Sequence, residues 1–102
     1  MYTGNADYDK KHLKELYDRY GLKIWLTEFA KPSTFSVQDE MNYLSEMLPY
    51  LDSSDHIYRY SWFVHRFTHS GSGHGWYLDK AISLMKSDRS ELTDLGKFYN
   101  DF

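Results

Sequence analysis

Apolar positions along this chain switch between two periods. From Asp7 to Tyr20 they recur at Tyr8, Leu13, Leu16, Tyr17 and Tyr20, a helical stripe with Lys10, Lys11, Lys14 and Asp18 on the other faces. Gly21 suits the position just past that helix, where the backbone turns left-handed. Leu22-Lys23-Ile24-Trp25-Leu26-Thr27-Glu28-Phe29-Ala30 is then almost wholly apolar or β-branched up to its carboxylate. Such a run predicts a strand buried on both faces, as in a parallel sheet. Alternation would place Leu22, Ile24, Leu26 and Glu28 on one face and Trp25 and Thr27 on the other. Pro32 keeps Lys31–Phe35 irregular. Ser36, with Asp39 three residues on, resembles a capping signal, and Val37, Met41, Leu44, Leu48 and Leu51 predict a second helix ending between Pro49 and Ser53. His56–Phe63, rich in Tyr, Ile, Trp and Phe, predicts a second strand, with Tyr58, Tyr60 and Trp62 on one face and Ile57, Arg59, Ser61 and Phe63 on the other.

Strand, helix, strand at this spacing is a βαβ unit with a right-handed crossover. Residues 1–6 read as a loop, as do residues 64–80 with their Ser70-Gly71-Ser72-Gly73-His74-Gly75 run. Residues 83–102 carry a turn at Ser87–Ser90 and a short helix from about Leu92. No repeat, low-complexity segment or domain boundary interrupts the 102 residues, which make one domain or a piece of one. A complete (β/α)₈ barrel needs roughly 200 residues or more.

Composition narrows the chemistry. Ten Tyr, six Phe and three Trp suit a carbohydrate site and a packed core equally. A net charge of −3 leaves no basic footprint for nucleic acid. No apolar run of about 18 residues is present, so no membrane span is expected. The absence of cysteine removes disulfides and thiolate chemistry. His65 and His69 are four apart, with His74 beyond, but no helix is predicted there and no Cys or Glu completes a set, so these read as loop histidines and no metal or cofactor is expected. Glu28 is the carboxylate of most interest. After three apolar residues on its face it belongs at a strand end, where it is either a solvated loop residue or a functional group in a cleft.

Lys23-Ile24-Trp25-Leu26-Thr27-Glu28-Phe29-Ala30 resembles the nucleophile strand of an Asl-type (alkali-sensitive-linkage) glycosyl hydrolase, glycoside hydrolase family 128. Arg59-Tyr60-Ser61-Trp62-Phe63 and Leu92-Thr93-Asp94-Leu95-Gly96-Lys97-Phe98-Tyr99 resemble later family segments, in the family's order. The resemblance runs over residues 12–99.

It implies an α/β fold made of the C-terminal βα units of a TIM (β/α)₈ barrel, with residues 1–102 a C-terminal fragment of a glycoside hydrolase catalytic domain. The implied activity is retaining hydrolysis of β-1,3-glucan, which uses two carboxyl groups about 5–5.5 Å apart. By the same resemblance Glu28 is the nucleophile, while the family's acid/base sits in an Asn-Glu-Pro motif that this chain lacks. Asp7 and Asp79 are the substitutes within reach of a barrel mouth. The expectation is therefore a chain inactive alone, partnered by a β-glucan polysaccharide or oligosaccharide and by the remaining barrel segment or another copy. Trp62 and Tyr60 on the second strand, and Trp76 with Tyr77 farther on, are the implied substrate-binding aromatics. Trp25 is expected to pack under the helices, and the Leu92–Gly96 segment to close the barrel. The family implies a secreted or cell-wall protein. The competing readings are a non-catalytic carbohydrate-binding or assembly segment, and an independent small α/β domain of unrelated function.

Overall fold

The computed structural model describes residues 1–32, 36–68 and 78–102. Helix α1 (Ala6–Tyr20) starts where the Asn5 side chain accepts the Tyr8 N–H and stops at Gly21. There φ is 65° and the Gly21 N–H returns to the Tyr17 carbonyl at 2.7 Å. Strand β1 (Ile24–Phe29) leads to α2 (Val37–Ser53), where Ser36 caps by accepting the Asp39 N–H at 3.3 Å. Strand β2 (Ile57–Trp62), a 3₁₀ turn (Lys80–Ile82) and α3 (Asp94–Asp101) complete the order.

The two strands are parallel and adjacent, with α2 as the crossover. Their register slips twice. Ile24 pairs with Ile57 but Trp25 with Arg59, which leaves Tyr58 as an extra residue on β2. Leu26 pairs with Tyr60 and Phe29 with Trp62, which leaves one extra residue on β1. The second slip breaks strict alternation. Thr27 and Glu28 are consecutive exposed residues, and Phe29 beyond them is fully buried.

The core lies between the sheet and α2. Phe29 from β1 meets Leu44, Met47, Leu48 and Leu51 from α2, joined by Leu13, Ile82 and Leu95. The buried face of α2 is Glu40, Tyr43, Leu44, Met47, Leu48 and Leu51, rotated from the expected stripe, so that Val37 and Met41 are only partly buried. Trp25 departs further from expectation. It is 64% exposed, its ring 5.2 Å from that of Tyr58, and it lines an open hollow together with His12 and Leu16 of α1.

The C-terminal region is more structured than a turn and a helix. Met85 and Leu92 form an antiparallel bridge, and the Leu84 and Met85 N–H groups reach the Val64 and His65 carbonyls at 3.3 and 2.7 Å. Thr93 caps α3 by accepting the Gly96 N–H at 3.0 Å, while its own hydroxyl donates to the Ser83 carbonyl at 2.6 Å. A Cβ built on Gly96 would lie 2.0 Å from the Leu84 carbonyl oxygen, so only glycine lets α3 approach this closely. The Leu92–Gly96 segment thus docks α3 on residues 83–84. Among the described residues no helix is long and apolar enough to cross a membrane.

Candidate functional site

Glu28 stands at the C-terminal end of β1 with its side chain exposed, brought there by the register slip that also buries Phe29. The Tyr2 hydroxyl donates to its Oε2 at 2.6 Å. Tyr2 is held in turn by a backbone arrangement that hydrophobic patterning does not reveal. The Met1 nitrogen donates to the Glu28 carbonyl at 2.6 Å, and the Ala30 N–H donates to the Met1 carbonyl at 3.2 Å. That pair of bonds is the pattern of a parallel ladder. The Phe29 carbonyl, pointing to the other edge, accepts the Phe63 N–H at 2.9 Å. The end of β1 is therefore flanked by residues 1–2 on one edge and by the continuation of β2 on the other, and the Tyr2 and Phe63 rings meet edge to face at 5.8 Å.

Burial first, then the bond to Glu28 and its charge, raises the Tyr2 hydroxyl above its ordinary value. Tyr2 is accordingly a standing donor to the carboxylate. The N-terminal segment is anchored below by Thr3, whose hydroxyl donates to Asp9 Oδ1 at 2.6 Å, and by Lys31, whose ammonium donates to the Gly4 carbonyl at 3.1 Å. Asp9 is fully buried and also accepts the Tyr43 hydroxyl at 2.6 Å.

Of the expected sugar-binding aromatics, Trp62 and Tyr60 lie among the described residues. Trp62 is 5% exposed, with Phe29 edge-on at 5.2 Å, Tyr43 at 6.2 Å and its indole N–H given to the Ile82 carbonyl at 2.8 Å. Among the described residues it packs as a core residue between β1 and α2. Tyr60 is half-buried, paired with Leu26 and edge-on to Phe29 at 6.3 Å. It lines a hollow of about 620 Å³ with Lys23, Asp52, Arg59 and Tyr99, which Glu28 does not reach. Trp76, Tyr77, His69 and His74 lie outside the described residues. Asp79 is 3% exposed and accepts the Ala81 N–H at 2.9 Å, which makes it the cap of the 3₁₀ turn, whereas Asp7 lies exposed in the first turn of α1. His65 is exposed, and among the described residues no cluster of His, Asp or Glu is placed to hold a metal ion.

Tyr2, bonded to Glu28, and Phe63, edge-on to Tyr2, are the residues that patterning missed. A signal for Tyr2 is present: an aromatic and a β-branched residue, Tyr2-Thr3, stand just before the Asn5 cap of α1, as at the end of a strand.

The family model described as a glycosyl hydrolase catalytic core matches residues 1–99. The chain belongs to that family. A family 128 (subgroup II) endo-β-1,3-glucanase from Sorangium cellulosum superposes with a TM-score of 0.78 at 28% identity, over 97% of this chain and 38% of its own. Two further family 128 structures share the fold: an exo-β-1,3-glucanase from Cryptococcus neoformans (subgroup V; TM-score 0.74, 24% identity, 96% of this chain and 40% of that one) and one from Aureobasidium namibiae (subgroup VI; 0.75, 19%, 96% and 38%). The chain thus spans about two fifths of the length of these solved structures. No curated protein matches it.

Proposed function

We propose that this chain is the part of an Asl-type family 128 β-1,3-glucanase that carries the catalytic nucleophile, Glu28. The observation that carries the reading is an exposed carboxylate at the C-terminal end of a parallel strand, its Oε2 held by Tyr2 at 2.6 Å. Functional groups of (β/α) folds stand at that end of the strands. The 28% identity to an endo-β-1,3-glucanase supports the substrate class. A crossover βαβ unit, with residues 1–2 laddered on the outer edge of β1, supports its being several adjoining units of a (β/α)₈ barrel.

In a retaining reaction Glu28 Oε1 attacks the anomeric carbon, and the glycosidic C–O bond breaks as a second carboxyl protonates the departing oxygen. Tyr2, bound to Oε2, fixes the carboxylate plane and leaves Oε1 as the attacking atom. Phe63, edge-on to Tyr2, supplies an aromatic wall beside it. The second carboxyl is not Asp79, which is buried as a cap. With no Asn-Glu-Pro motif in the chain, the acid on this reading comes from barrel segments other than these residues, and the chain alone turns over no glucan.

The test is a pair of assays on β-1,3-glucan, one with the complete enzyme and one with this chain. Glu28→Gln in the complete enzyme lowers turnover by roughly 10³-fold or more. Near-normal turnover in that variant overturns the nucleophile assignment. Turnover by this chain alone that Glu28→Gln abolishes would show that the acid lies within it, contrary to the proposal.

A further inference from the structure

Glu40 is the charged residue that the site does not use and the fold does not solvate. It lies in the first turn of α2 with 0% exposure, and neither carboxyl oxygen has a hydrogen-bond partner among the described residues. Leaving a buried carboxylate so placed is costly unless it stays neutral. The groups facing it come from three sides. Lys31, in the turn after β1, offers its backbone amide and its ammonium without reaching hydrogen-bond geometry. Asp79 faces it from before the 3₁₀ turn, and Asp39 and Tyr43 from its own helix, Tyr43 with Asp9 behind it.

Lys31 is already committed elsewhere. Its ammonium donates to the Gly4 carbonyl at 3.1 Å, and Gly4 packs so tightly on it that an added Cβ would lie 2.9 Å from Lys31 Cγ and 3.2 Å from Pro32 Cδ, at a φ of +67°. The residues held by that contact are those next to Tyr2, the partner of Glu28. A single cation therefore stands between a buried acid and the segment that orients the exposed one.

We propose that Glu40 and Lys31 form an alkaline latch. When Glu40 loses its proton, the Lys31 ammonium turns from the Gly4 carbonyl to the new carboxylate. Residues 1–4 then release from the edge of β1, and Tyr2 leaves Glu28. The direction of the proton shift agrees: burial, opposed by the Lys31 amide and ammonium, pushes the Glu40 carboxyl up to about 8. The latch is thus closed at neutral pH and opens above it. Its meaning for catalysis rests on the reading of Glu28 as the site carboxylate, but its motion does not.

Hydrogen–deuterium exchange by mass spectrometry reads that motion without turnover, in whatever assembly the protein adopts. After correction for the intrinsic pH dependence of exchange, the peptide covering residues 1–8 should lose about tenfold in protection per pH unit above the midpoint, while α3 stays protected. Glu40→Gln should keep the N-terminal peptide protected through that range, and Lys31→Met should leave it unprotected at every pH. Flat protection in the unaltered protein, loss that spreads equally to α3, or the same transition in Glu40→Gln each overturns the latch. Should Glu40→Gln exchange fast everywhere, the comparison of the N-terminal peptide with α3 in the unaltered protein decides. Glu28→Gln should leave the transition in place, so a failed glucanase assignment and a failed latch give different results.

Discussion

The Tyr2 hydroxyl and the Glu28 carboxylate meet at 2.6 Å across 26 positions of sequence. The meeting depends on two backbone facts: a register slip in β1 that turns Glu28 outward, and a ladder contact that lays residues 1–2 against the end of that strand. A hydrogen bond to a charged group contributes about 1.5–3 kcal/mol. In the complete enzyme, Tyr2→Phe should therefore lower the melting temperature by a few degrees and, where the protein stays folded, lower kcat/KM about 10- to 100-fold on β-1,3-glucan. A variant with unchanged kcat/KM removes Tyr2 from the site.

Trp62 tests packing against recognition. With Phe29, Tyr43 and the Ile82 carbonyl around it, Trp62→Ala opens a cavity and strands that carbonyl. The expected loss is about 3–5 kcal/mol. Chemical denaturation measures it, and a loss under about 1 kcal/mol with weakened oligosaccharide binding would restore the sugar-stacking role.

How much of this was legible in the chain follows from which forces act locally. The helix caps at Ser36 and Gly21 are local chemistry, and both stand where the residues placed them. The two strands and their helical crossover follow from hydrophobic period, which also acts over short range. What failed was alternation at β1 and β2. A bulge is a one-residue event fixed by the partner strand, and it reverses the facing of every residue after it. Thr27 and Glu28, exposed side by side before a buried Phe29, are where this shows. Glu40 had a readable signal, since it lies four, seven and eleven positions before Leu44, Met47 and Leu51 on the buried face of α2. Its lack of a partner is tertiary and no sequence pattern shows it. The Tyr2–Glu28 contact, with no local counterpart, lay beyond pattern altogether.

Two glycines separate steric contact from backbone conformation. Gly96→Ala drives a methyl into the Leu84 carbonyl, 2.0 Å away, and must push α3 from its seat. A loss of roughly 3 kcal/mol or more is expected, in the range of severe overpacking. Gly21→Ala meets nothing within 4 Å but must adopt a φ of +65°. Its expected loss is about 1 kcal/mol, the cost of a left-handed non-glycine residue. Thermal denaturation of both variants checks the order, and equal losses would mean that α3 does not dock as described.

Glu40 gives the fold a pH dependence whose sign can be fixed in advance. Its carboxyl is raised from 4.5 to about 8 in the folded chain by burial, so the folded state holds its proton over a range where the unfolded state does not. Stability from this group is therefore fully present below about pH 4.5, falls as pH rises toward 8, and levels off above that. A tenfold difference in proton affinity between the two states is worth about 1.4 kcal/mol, which places the total loss on the order of a few kcal/mol. Glu40→Gln keeps the shape of the protonated side chain and cannot ionise. It should match the unaltered protein near pH 4, exceed it increasingly as pH rises toward about 8, and keep that margin above it. Urea midpoints measured across that range provide the check. Parallel curves for the two proteins would mean that Glu40 ionises as readily in the fold as in the unfolded chain, and that its buried position is relieved by water or by Lys31.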